Sequence, residues 1–486
     1  MTTTTTSPAS RESTAPLIPG PRRQPLGRPV KNSSSTLSLV VVCVTTAMLM
    51  LDIAVVNTAL PTIASELGTG LQGVQWVVDA YTLALAATVL TAGSVADRLG
   101  RRRLLVAGLV LFTLASLGCA AAGTIGVLEA ARAVQGLGAA VLFAVSLAVL
   151  GHAFPDAGAR AKALAVYGAT IGASFAVGPL VGGLLTQGLD WRWIFLVNVP
   201  VGALCLALTL RGVEESRDPH ARRVDWAGQL LLTGALFLLV LGLVRGGAEG
   251  WSSTPIVASL AAAAALLVAF VAVEARVAEP MLPLGMFADR LFTGTQVAAF
   301  AISSSLFAVF LYMTLYLQGV LHLSPVEAGA VYLPGTVVMF VAAGATAQLL
   351  DRLSAGVALC GSLLVVAGGM GLSLLAGPHS SWVVLLPGTV VSFAGAGVFN
   401  PVMSGLVLSQ SDSARAGLAA GINDSFRQVG IALGVAVLGT FVPAASAFGA
   451  DPEGYVTGLH HALLVSVAVA VAGAVVAALF VRRPRG

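Results

Sequence analysis

Residues 93–103 read GSVADRLGRRR and form a short charged segment between two long apolar runs. The runs lie approximately at 74–95 and 104–123, and each has about the 20 residues that an α-helix needs to span a bilayer. The glycines of the segment permit a tight turn, and its arginines are typical of a loop that stays in the cytoplasm. The segment therefore predicts two membrane helices joined by a short cytoplasmic loop.

The composition of the whole chain also indicates a membrane protein. Of 486 residues, 57% are hydrophobic and 10% are charged, whereas soluble domains have about 25% charged residues. The net charge of +4 does not indicate nucleic-acid binding, because most basic residues lie in short segments between apolar runs. The four cysteines and six histidines are scattered, and no nucleophile motif is present. We therefore expect no metal, no cofactor and no enzymatic activity.

Fourteen apolar runs are long enough to cross a membrane, and they fall into groups of six, two and six. They are predicted at 38–61, 74–95, 104–123, 126–149, 162–187, 193–211, 226–245, 255–273, 293–317, 325–350, 355–376, 381–402, 416–442 and 459–481. We expect an all-α polytopic membrane protein with two six-helix lobes and two inserted helices. The predicted units are a disordered cytoplasmic tail at 1–36, an N-terminal lobe at 37–211, the inserted pair with its flanking loop at 212–275, a C-terminal lobe at 276–482 and a tail at 483–486.

The distribution of basic residues predicts the orientation. All but four of the 26 lysines and arginines lie on one side of this arrangement, and that side is expected to be cytoplasmic. The exceptions are Arg192 and Arg245 in loops on the other side and Arg132 and Arg427 within spans. An even number of spans then places both termini in the cytoplasm. Asp-Arg-Leu follows the second span of each six-helix block, which favours two similar lobes with a substrate site between them.

Three segments carry a resemblance to a known family. The first-loop segment resembles the loop signature of the major facilitator superfamily in its residues Gly93, Asp97, Arg98, Gly100 and Arg101. A cytoplasmic anchor alone would explain the arginines but not this spacing of Gly, Asp and Gly, so we expect a latch between the lobes. Span four is similar to the family pattern of an intramembrane arginine before a Gln-Gly pair, with Leu128, Arg132, Gln135 and Gly136. Span five resembles the signature of the family's exporters, with Gly178, Pro179, Gly182 and Gly183, although Ser174 stands where glycine is common.

The first and sixth spans narrow the resemblance to the fourteen-span drug:proton antiporters. Residues 51–61 read LDIAVVNTALP and residues 191–195 read WRWIF, and both look like that family, with Ala54 where a hydroxyl residue is common. The resemblance implies a major facilitator fold and a proton-coupled antiporter that exports lipophilic, cationic drugs across the cytoplasmic membrane. It implies small-molecule substrates, protons and membrane lipid as partners, and a functional monomer. A dedicated exporter of one endogenous metabolite or self-made antibiotic is the alternative.

Charged residues inside spans mark the candidate coupling groups, because a charge at the bilayer centre costs about 2.5–3.5 kcal/mol on insertion scales. We expect Asp52, near the middle of span one, or Asp79, in the outer third of span two, to carry the proton, with Arg132 as the partner that controls it. The outer-third position leaves Asp79 with an alternative as a wetted interface residue. Asp424 and Arg427, three residues apart in one span, are expected to neutralise one another.

The expected cavity combines polar groups and aromatic rings from facing spans, which suits lipophilic cations through cation–π contacts. The predicted substrate-binding residues are Asp52, Asn57, Gln135, Phe143, Phe175, Phe310, Tyr312 and Tyr316. Phe307 and Phe340 are further candidates for the wall. The inserted helices match no coupling motif, so we expect them to be peripheral and Gln229 to lie outside the cavity.

Overall fold

A computed structural model describes residues 1–4, 32–218, 223–409 and 416–481. Most of the predicted tail at 1–36 and all of the tail at 483–486 lie outside the described residues. Within the described ranges the chain forms helices and connecting turns, with no β-strand. The predicted all-α fold is therefore confirmed.

The first lobe contains the first six predicted spans. Its helices are α1 (Asn32–Leu67), α2 (Leu71–Leu99), α3 (Arg101–Ala120), α4 (Ile125–Ala153), α5 (Ala157–Gly188), α6 (Trp193–Leu196) and α7 (Asn198–Gly212). The short α6 and the longer α7 together form the sixth span, Trp193–Gly212. Helix α4 begins with Thr124, whose side chain accepts a hydrogen bond from the Val127 amide, and α5 begins with Asp156 in the same role toward Ala159.

The inserted pair and the second lobe follow in the predicted order. The inserted helices are α8 (Trp226–Glu249) and α9 (Thr254–Glu274). The second lobe contains α10 (Arg290–Ile302), α11 (Ala308–Leu315), α12 (Pro325–Val331), α13 (Leu333–Leu350), α14 (Ala355–Leu372), α15 (Leu385–Ser409), α16 (Ala416–Gly439) and α17 (Pro452–Phe480). Two π-helical turns, Ser303–Phe307 and Tyr316–Val320, lie within the span that contains α10 and α11. Such turns are frequent at functional sites because they rotate the side chains that follow.

Thirteen helices of the described residues are long and apolar enough to cross a membrane. The remaining predicted span, at 416–442, is present as α16, which has 24 residues. Four polar residues, Asn423, Asp424, Arg427 and Gln428, lie within six positions near the middle of this helix. All fourteen predicted spans therefore correspond to helices, and α16 is the one whose polar residues require a protein environment.

Two seams join the lobes. In the first lobe α1 packs on α5 and α7, and α4 packs on α2 and α3. In the second lobe α14 packs on α15 and α17, and α13 packs on α15. The first seam is the contact of α2 with α16, and the second is the contact of α5 with α12 and α13. Helix α8 lies beside the first seam and contacts both α2 and α16. The space between the two seams is the place for a substrate.

The bundle has two ends that differ in how the lobes contact. We call the end that holds Gly188 and Pro325 the distal end, and the end that holds Arg101 and Arg290 the proximal end. At the distal end the Gln318 amide donates to the Thr58 carbonyl at 2.8 Å, and the Val326 amide donates to Gln187 at 3.2 Å. The inter-lobe hydrogen bonds of the described residues lie there, apart from one near mid-depth between Ser425 and the Ala86 carbonyl at 3.2 Å. The lobes are therefore locked together at the distal end.

Candidate functional site

A small cavity lies between the lobes. It is lined by Ile53, Val56, Asn57, Val78, Tyr81, Thr82, Arg132 and Phe175 from the first lobe and by Phe307, Phe310, Leu311, Ile431 and Val435 from the second. Most of these side chains are apolar or aromatic, and a few polar groups lie among them. This is the usual composition of a site for a small organic molecule.

An aromatic cluster forms the contact between the lobes at this cavity. The ring of Phe175 meets the edge of Phe307 with centroids 5.1 Å apart and lies 6.4 Å from Phe310. Phe310 in turn lies 4.3 Å from the ring of Tyr332. Phe175 belongs to α5 and the other rings belong to the second lobe, so a relative movement of the lobes separates these rings.

A buried ion pair lies behind the first-lobe wall of the cavity. The Arg132 guanidinium is 2.5 Å from Asp52, and the two side chains are 2% and 0% exposed. Arg132 also donates to the Val77 carbonyl at 3.1 Å, and its guanidinium carbon lies 4.2 Å from the centre of the Tyr81 ring. Arg132 is thus held between a carboxylate, a carbonyl and an aromatic face, and one side of it reaches the cavity lining.

Two side-chain amides complete the hydrogen bonding of Asp52. Gln135 and Asn198 donate their amides to its Oδ1 at 2.8 and 2.9 Å, while Oδ2 receives the Arg132 donor. Ser116 accepts from Gln135 at 2.9 Å. Two amide donors and the Arg132 guanidinium thus satisfy both oxygens of this carboxylate. The network joins residues of α1, α3, α4 and α7 and fixes the first lobe as a unit.

Asp79 has the opposite environment. It is fully buried in α2, and neither of its carboxyl oxygens has a hydrogen-bond partner. One turn away, Gln75 crosses the seam and donates to the Tyr312 hydroxyl at 2.9 Å and to the Val435 carbonyl at 3.3 Å. An unpaired charge buried in this way is strongly disfavoured, so the carboxyl group is expected to be neutral in this conformation.

The glycines of span five allow three close helix contacts. An added Cβ at Gly178 would lie 2.3 Å from the Ala54 Cβ, and one at Gly182 would lie 2.2 Å from the Thr58 hydroxyl, so α5 and α1 touch along these residues. At Gly183 the added atom would lie 2.4 Å from the Pro325 carbonyl oxygen of the second lobe. The segment therefore sets both the packing of the first lobe and the closure of the distal end.

The contacts of Pro179 complete this closure. A Cβ added at Gly329 of α12 would lie 2.4 Å from the Pro179 carbonyl oxygen. The backbones of α5 and α12 thus approach one another through a glycine on each helix. Any larger side chain at either glycine would separate the two lobes there.

The first-loop segment is folded on its own lobe. Arg101 is paired with Asp97 at 2.9 Å, and Glu215 accepts hydrogen bonds from the amides of Arg102 and Arg103 at 3.1 and 3.3 Å. Gly100 has φ 115°, which favours glycine, and a Cβ there would lie 2.6 Å from Glu215.

The remaining members of this segment make no contact with the second lobe among the described interactions. Gly93 faces Ala144 of the same lobe, and Arg98 is exposed. The expected latch between lobes stays a prediction, because the described contacts of Asp97 and Arg101 are with 213–218 and with each other.

The predicted binding residues divide into two groups. Asn57, Phe175 and Phe310 line the cavity, and so does the further candidate Phe307. The others lie elsewhere, and they are Asp52, Gln135, Phe143, Tyr312 and Tyr316. The Tyr312 hydroxyl donates to the Val435 carbonyl, and the Tyr316 hydroxyl donates to the Gly377 carbonyl at 2.7 Å, so both phenols are occupied in helix packing. Phe340 is 56% exposed on the bundle surface.

Two further expectations concern charged and polar groups away from the cavity. No ion pair within 4.0 Å joins Asp424 and Arg427 among the described residues, and their expected mutual neutralisation stays a prediction. Arg427 instead lies with its guanidinium carbon 5.9 Å from the centre of the Phe307 ring. Gln229 is not among the cavity residues, and it accepts a hydrogen bond from Thr91 at 2.5 Å at the first seam.

Several residues of the site were not predicted as functional. Ser116 and Tyr81 complete the charged network, Thr82 lines the cavity and Glu215 caps α3. A polar residue inside an apolar run is a signal for the first three. Glu215 has no such signal, because it lies in a charged loop.

Two lobes of membrane-spanning helices with a cavity between them are the architecture of a transporter of small molecules. The chain belongs to the Major Facilitator Superfamily, whose family model matches residues 42–435. It is 38% identical over 444 residues to the puromycin resistance protein pur8 of Streptomyces alboniger, covering 89% of this chain and 88% of that protein.

Other relatives and one solved structure agree with this family. The chain is 36% identical over 398 residues to the drug efflux pump JefA of Mycobacterium tuberculosis, covering 82% of this chain and 78% of that protein. It is 35% identical over 415 residues to the tetracenomycin C resistance and export protein of Streptomyces glaucescens, covering 83% and 75%. The crystal structure of the human organic anion transporter MFSD10 matches with a TM-score of 0.59 at 16% identity, over 90% of this chain and 99% of that one. The last match shows the fold alone.

Proposed function

We propose that this transporter exports lipophilic, cationic drugs across the cytoplasmic membrane in exchange for protons. The names of its relatives, a drug efflux pump and two antibiotic resistance or export proteins, support export of drug-like molecules. The aromatic cavity supports a lipophilic substrate. The single observation that carries the proton coupling is the buried, unpartnered carboxyl group of Asp79 at the locked distal seam.

The distal end is the outer end of the molecule in this proposal. The basic residues of the loops favour a cytoplasmic proximal end with both termini on that side. The locked distal end then makes this conformation the one that is closed to the outside. A transporter in this state receives substrate from the membrane or the cytoplasm.

The wall of the cavity favours a cation with an apolar body. Phe175, Phe307 and Phe310 line the cavity with aromatic rings. The Tyr81 ring already makes a cation–π contact, with the guanidinium carbon of Arg132 4.2 Å from the ring centre. The charge of Arg132 is balanced by Asp52, so the wall is close to neutral overall. A lipophilic cation can therefore bind through cation–π contacts without meeting an uncompensated positive charge.

In this proposal Asp79 exchanges the proton, and the pair of Asp52 and Arg132 holds the first lobe together. Opening of the outer end exposes Asp79 to water, where a carboxyl group ionises at neutral pH. Closure returns it to the buried seam, which accepts only the neutral form. Each closure without drug therefore takes up one proton, and loss of that proton toward the cavity favours reopening with drug. Thr82 lies in the cavity wall three residues from Asp79.

Transport by the purified protein in liposomes tests the proposal. We expect an outward-directed drug flux that follows an imposed pH gradient and that stops when a protonophore collapses the gradient. Asp79→Asn should bind drug and lose gradient-driven accumulation. Unchanged accumulation with the protonophore present, or by the Asp79→Asn protein, would contradict proton coupling through this residue.

Export of a single endogenous metabolite or self-made antibiotic is the second candidate. It is favoured by relatives whose names refer to one compound each, such as puromycin and tetracenomycin C. A panel of lipophilic compounds of matched size with positive, neutral and negative charge separates the two candidates. Transport of several unrelated cations supports a drug exporter, whereas transport of one chemical scaffold supports the dedicated exporter.

A further inference from the structure

Two acidic residues lie together at the proximal end of the inserted helices, outside the cavity lining. Asp225 begins α8 and Glu274 ends α9, and the two residues are 8% and 3% exposed. One oxygen of each is used locally. Asp225 Oδ1 accepts from the Gly228 amide at 2.8 Å, and Glu274 Oε2 accepts from the Leu282 amide at 3.0 Å.

The other oxygen of each carboxyl group has no hydrogen-bond partner, and the two face the same place. Neither Asp225 Oδ2 nor Glu274 Oε1 has a partner. A Cβ added at Gly228 would lie 2.8 Å from the first and 2.5 Å from the second, so both oxygens lie within 2.8 Å of one point. Gly228 leaves this space free for the two carboxyl groups.

Among the described residues, no positive charge is paired with these two acids. Among the described residues, no lysine or arginine lies within 4.0 Å of either carboxyl group. The charged groups on the adjoining segments are Arg223, Arg276, Glu279, Asp289 and Arg290, all of them exposed. Helix α2, which packs on α8, presents the neutral Thr91 to Gln229 one turn above the pair. Two buried carboxyl groups that face the same space disfavour the form in which both carry a negative charge.

We propose that Asp225 and Glu274 hold one shared proton, at a site separate from the proton that is exchanged during transport. The proton converts one unpartnered oxygen into a donor and the other into its acceptor, so both become satisfied. It also joins the start of α8 to the end of α9. Loss of the proton leaves two like charges in a buried space and forces them apart.

The consequence of this site is a connection between pH and the second lobe. Glu274 holds the Leu282 amide, and the chain from there leads through Leu284–Ala288 into α10. When the shared proton is lost, Glu274 moves toward solvent and this hydrogen bond breaks. Because the proximal end is cytoplasmic in the proposed topology, the inserted pair responds to cytosolic pH.

Hydrogen exchange of the full-length protein in lipid nanodiscs tests the proposal without substrate or gradient. The measurement follows the peptide that contains Leu282 between pH 6 and 9, after correction for the intrinsic pH dependence of exchange. In the wild-type protein we expect constant protection at low pH and a loss of about tenfold per pH unit once the shared proton leaves. Glu274→Gln and Asp225→Asn each replace one acid by an amide that supplies the donor permanently, and Asn remains a good N-cap. Both variants should keep the protection and lose its pH dependence.

The control variant is Glu279→Gln, which neutralises an exposed acid on the same segment and should keep the wild-type profile. An unchanged pH profile in Glu274→Gln and Asp225→Asn overturns the proposal. So does loss of protection at every pH in both amide variants, because an amide reproduces the protonated hydrogen bond. Protection in the wild-type protein that changes with Na⁺, K⁺ or Mg²⁺ at fixed pH also overturns it, since the site then holds a metal cation. The readout needs no transport, so these outcomes are independent of the proposed proton antiport.

Discussion

Asp79→Asn is expected to remove the pH dependence of closure at the distal end. The substitution keeps the size of the side chain and its ability to form hydrogen bonds, but the amide does not titrate. In the wild-type protein the closed state buries a carboxyl group with no partner for either oxygen, and the open state exposes it to water. Under the proposed mechanism, closure therefore takes up one proton in the wild-type protein and none in the variant.

The magnitude follows from linkage. A step that takes up one proton becomes tenfold more favourable for each unit by which the pH falls, equivalent to about 1.4 kcal/mol. Between pH 8 and pH 6 the ratio of closed to open molecules should rise about 100-fold in the wild-type protein. The sign is fixed by burial of the neutral form, so acid favours closure and the effect is lost as the pH rises.

Distance measurement between spin labels provides the assay. Gln187 and Val326 face one another across the locked end, with the Val326 amide 3.2 Å from the Gln187 side chain, so labels at cysteines placed there report opening. The four native cysteines, Cys43, Cys119, Cys205 and Cys360, are replaced first. Populations are then read at several pH values in nanodiscs.

The control is Glu66→Gln. Glu66 is a distal acid that is already paired with Arg192 at 3.1 Å and is 44% exposed, so its removal should leave the pH slope intact. An Asp79→Asn protein with the wild-type slope would refute the role of Asp79, and a wild-type protein without a slope would refute the coupling of closure to proton uptake.

Three further substitutions test the site. Asp52→Asn leaves Arg132 buried without its counter-ion and should lower the free energy of unfolding by about 3–5 kcal/mol, measured by thermal denaturation in detergent; an unchanged melting temperature would contradict the buried pair. Gly183→Ala should shift the equilibrium between the closed and open distal end toward the open form by about 1–3 kcal/mol, because its Cβ would lie 2.4 Å from the Pro325 carbonyl oxygen. The same spin labels measure this shift. Gly172→Ala, with open space around its Cβ, should have no effect. Phe175→Ala should raise the KM for a lipophilic cation about 3- to 10-fold, the equivalent of one aromatic contact, and no change in KM would exclude Phe175 from the binding wall.

The sequence predicts the fold well because its evidence is local. A run of apolar residues long enough to cross a bilayer defines a membrane helix whatever it packs against. Helix α16 was predicted although Asn423, Asp424 and Arg427 interrupt its apolar run, because the residues on both sides of them are apolar. The π-helical turns were not predicted, because local composition carries no signal for them; the first, Ser303–Phe307, packs on α16.

The candidate site could be predicted only in part. The cost of charge in a membrane identifies Asp52, Arg132 and Asp79, but it does not say which acid is paired. That depends on the rotation of each helix about its axis, which decides that Asp52 meets Arg132 while Asp79 faces the seam. Tyr312 was expected to line the cavity, but it lies in a helix contact. The sequence around a tyrosine in a span does not distinguish these two positions.

The glycines of one seam and the Asp79 carboxyl group of the other both take part in closure of the distal end. Gly183 and Gly329 let the backbones of α5 and α12 touch, and this approach requires no titratable group. The seam between α2 and α16 closes at the same time, because both seams join the same two lobes. That second contact removes water from Asp79. In the proposed mechanism, the close contact of α5 with α12 on one side of the cavity is therefore linked to the protonation of Asp79 on the other side, and no signal has to pass through the substrate. The substrate has only to hold the rings of Phe175 and Phe310 apart to oppose both closures at once.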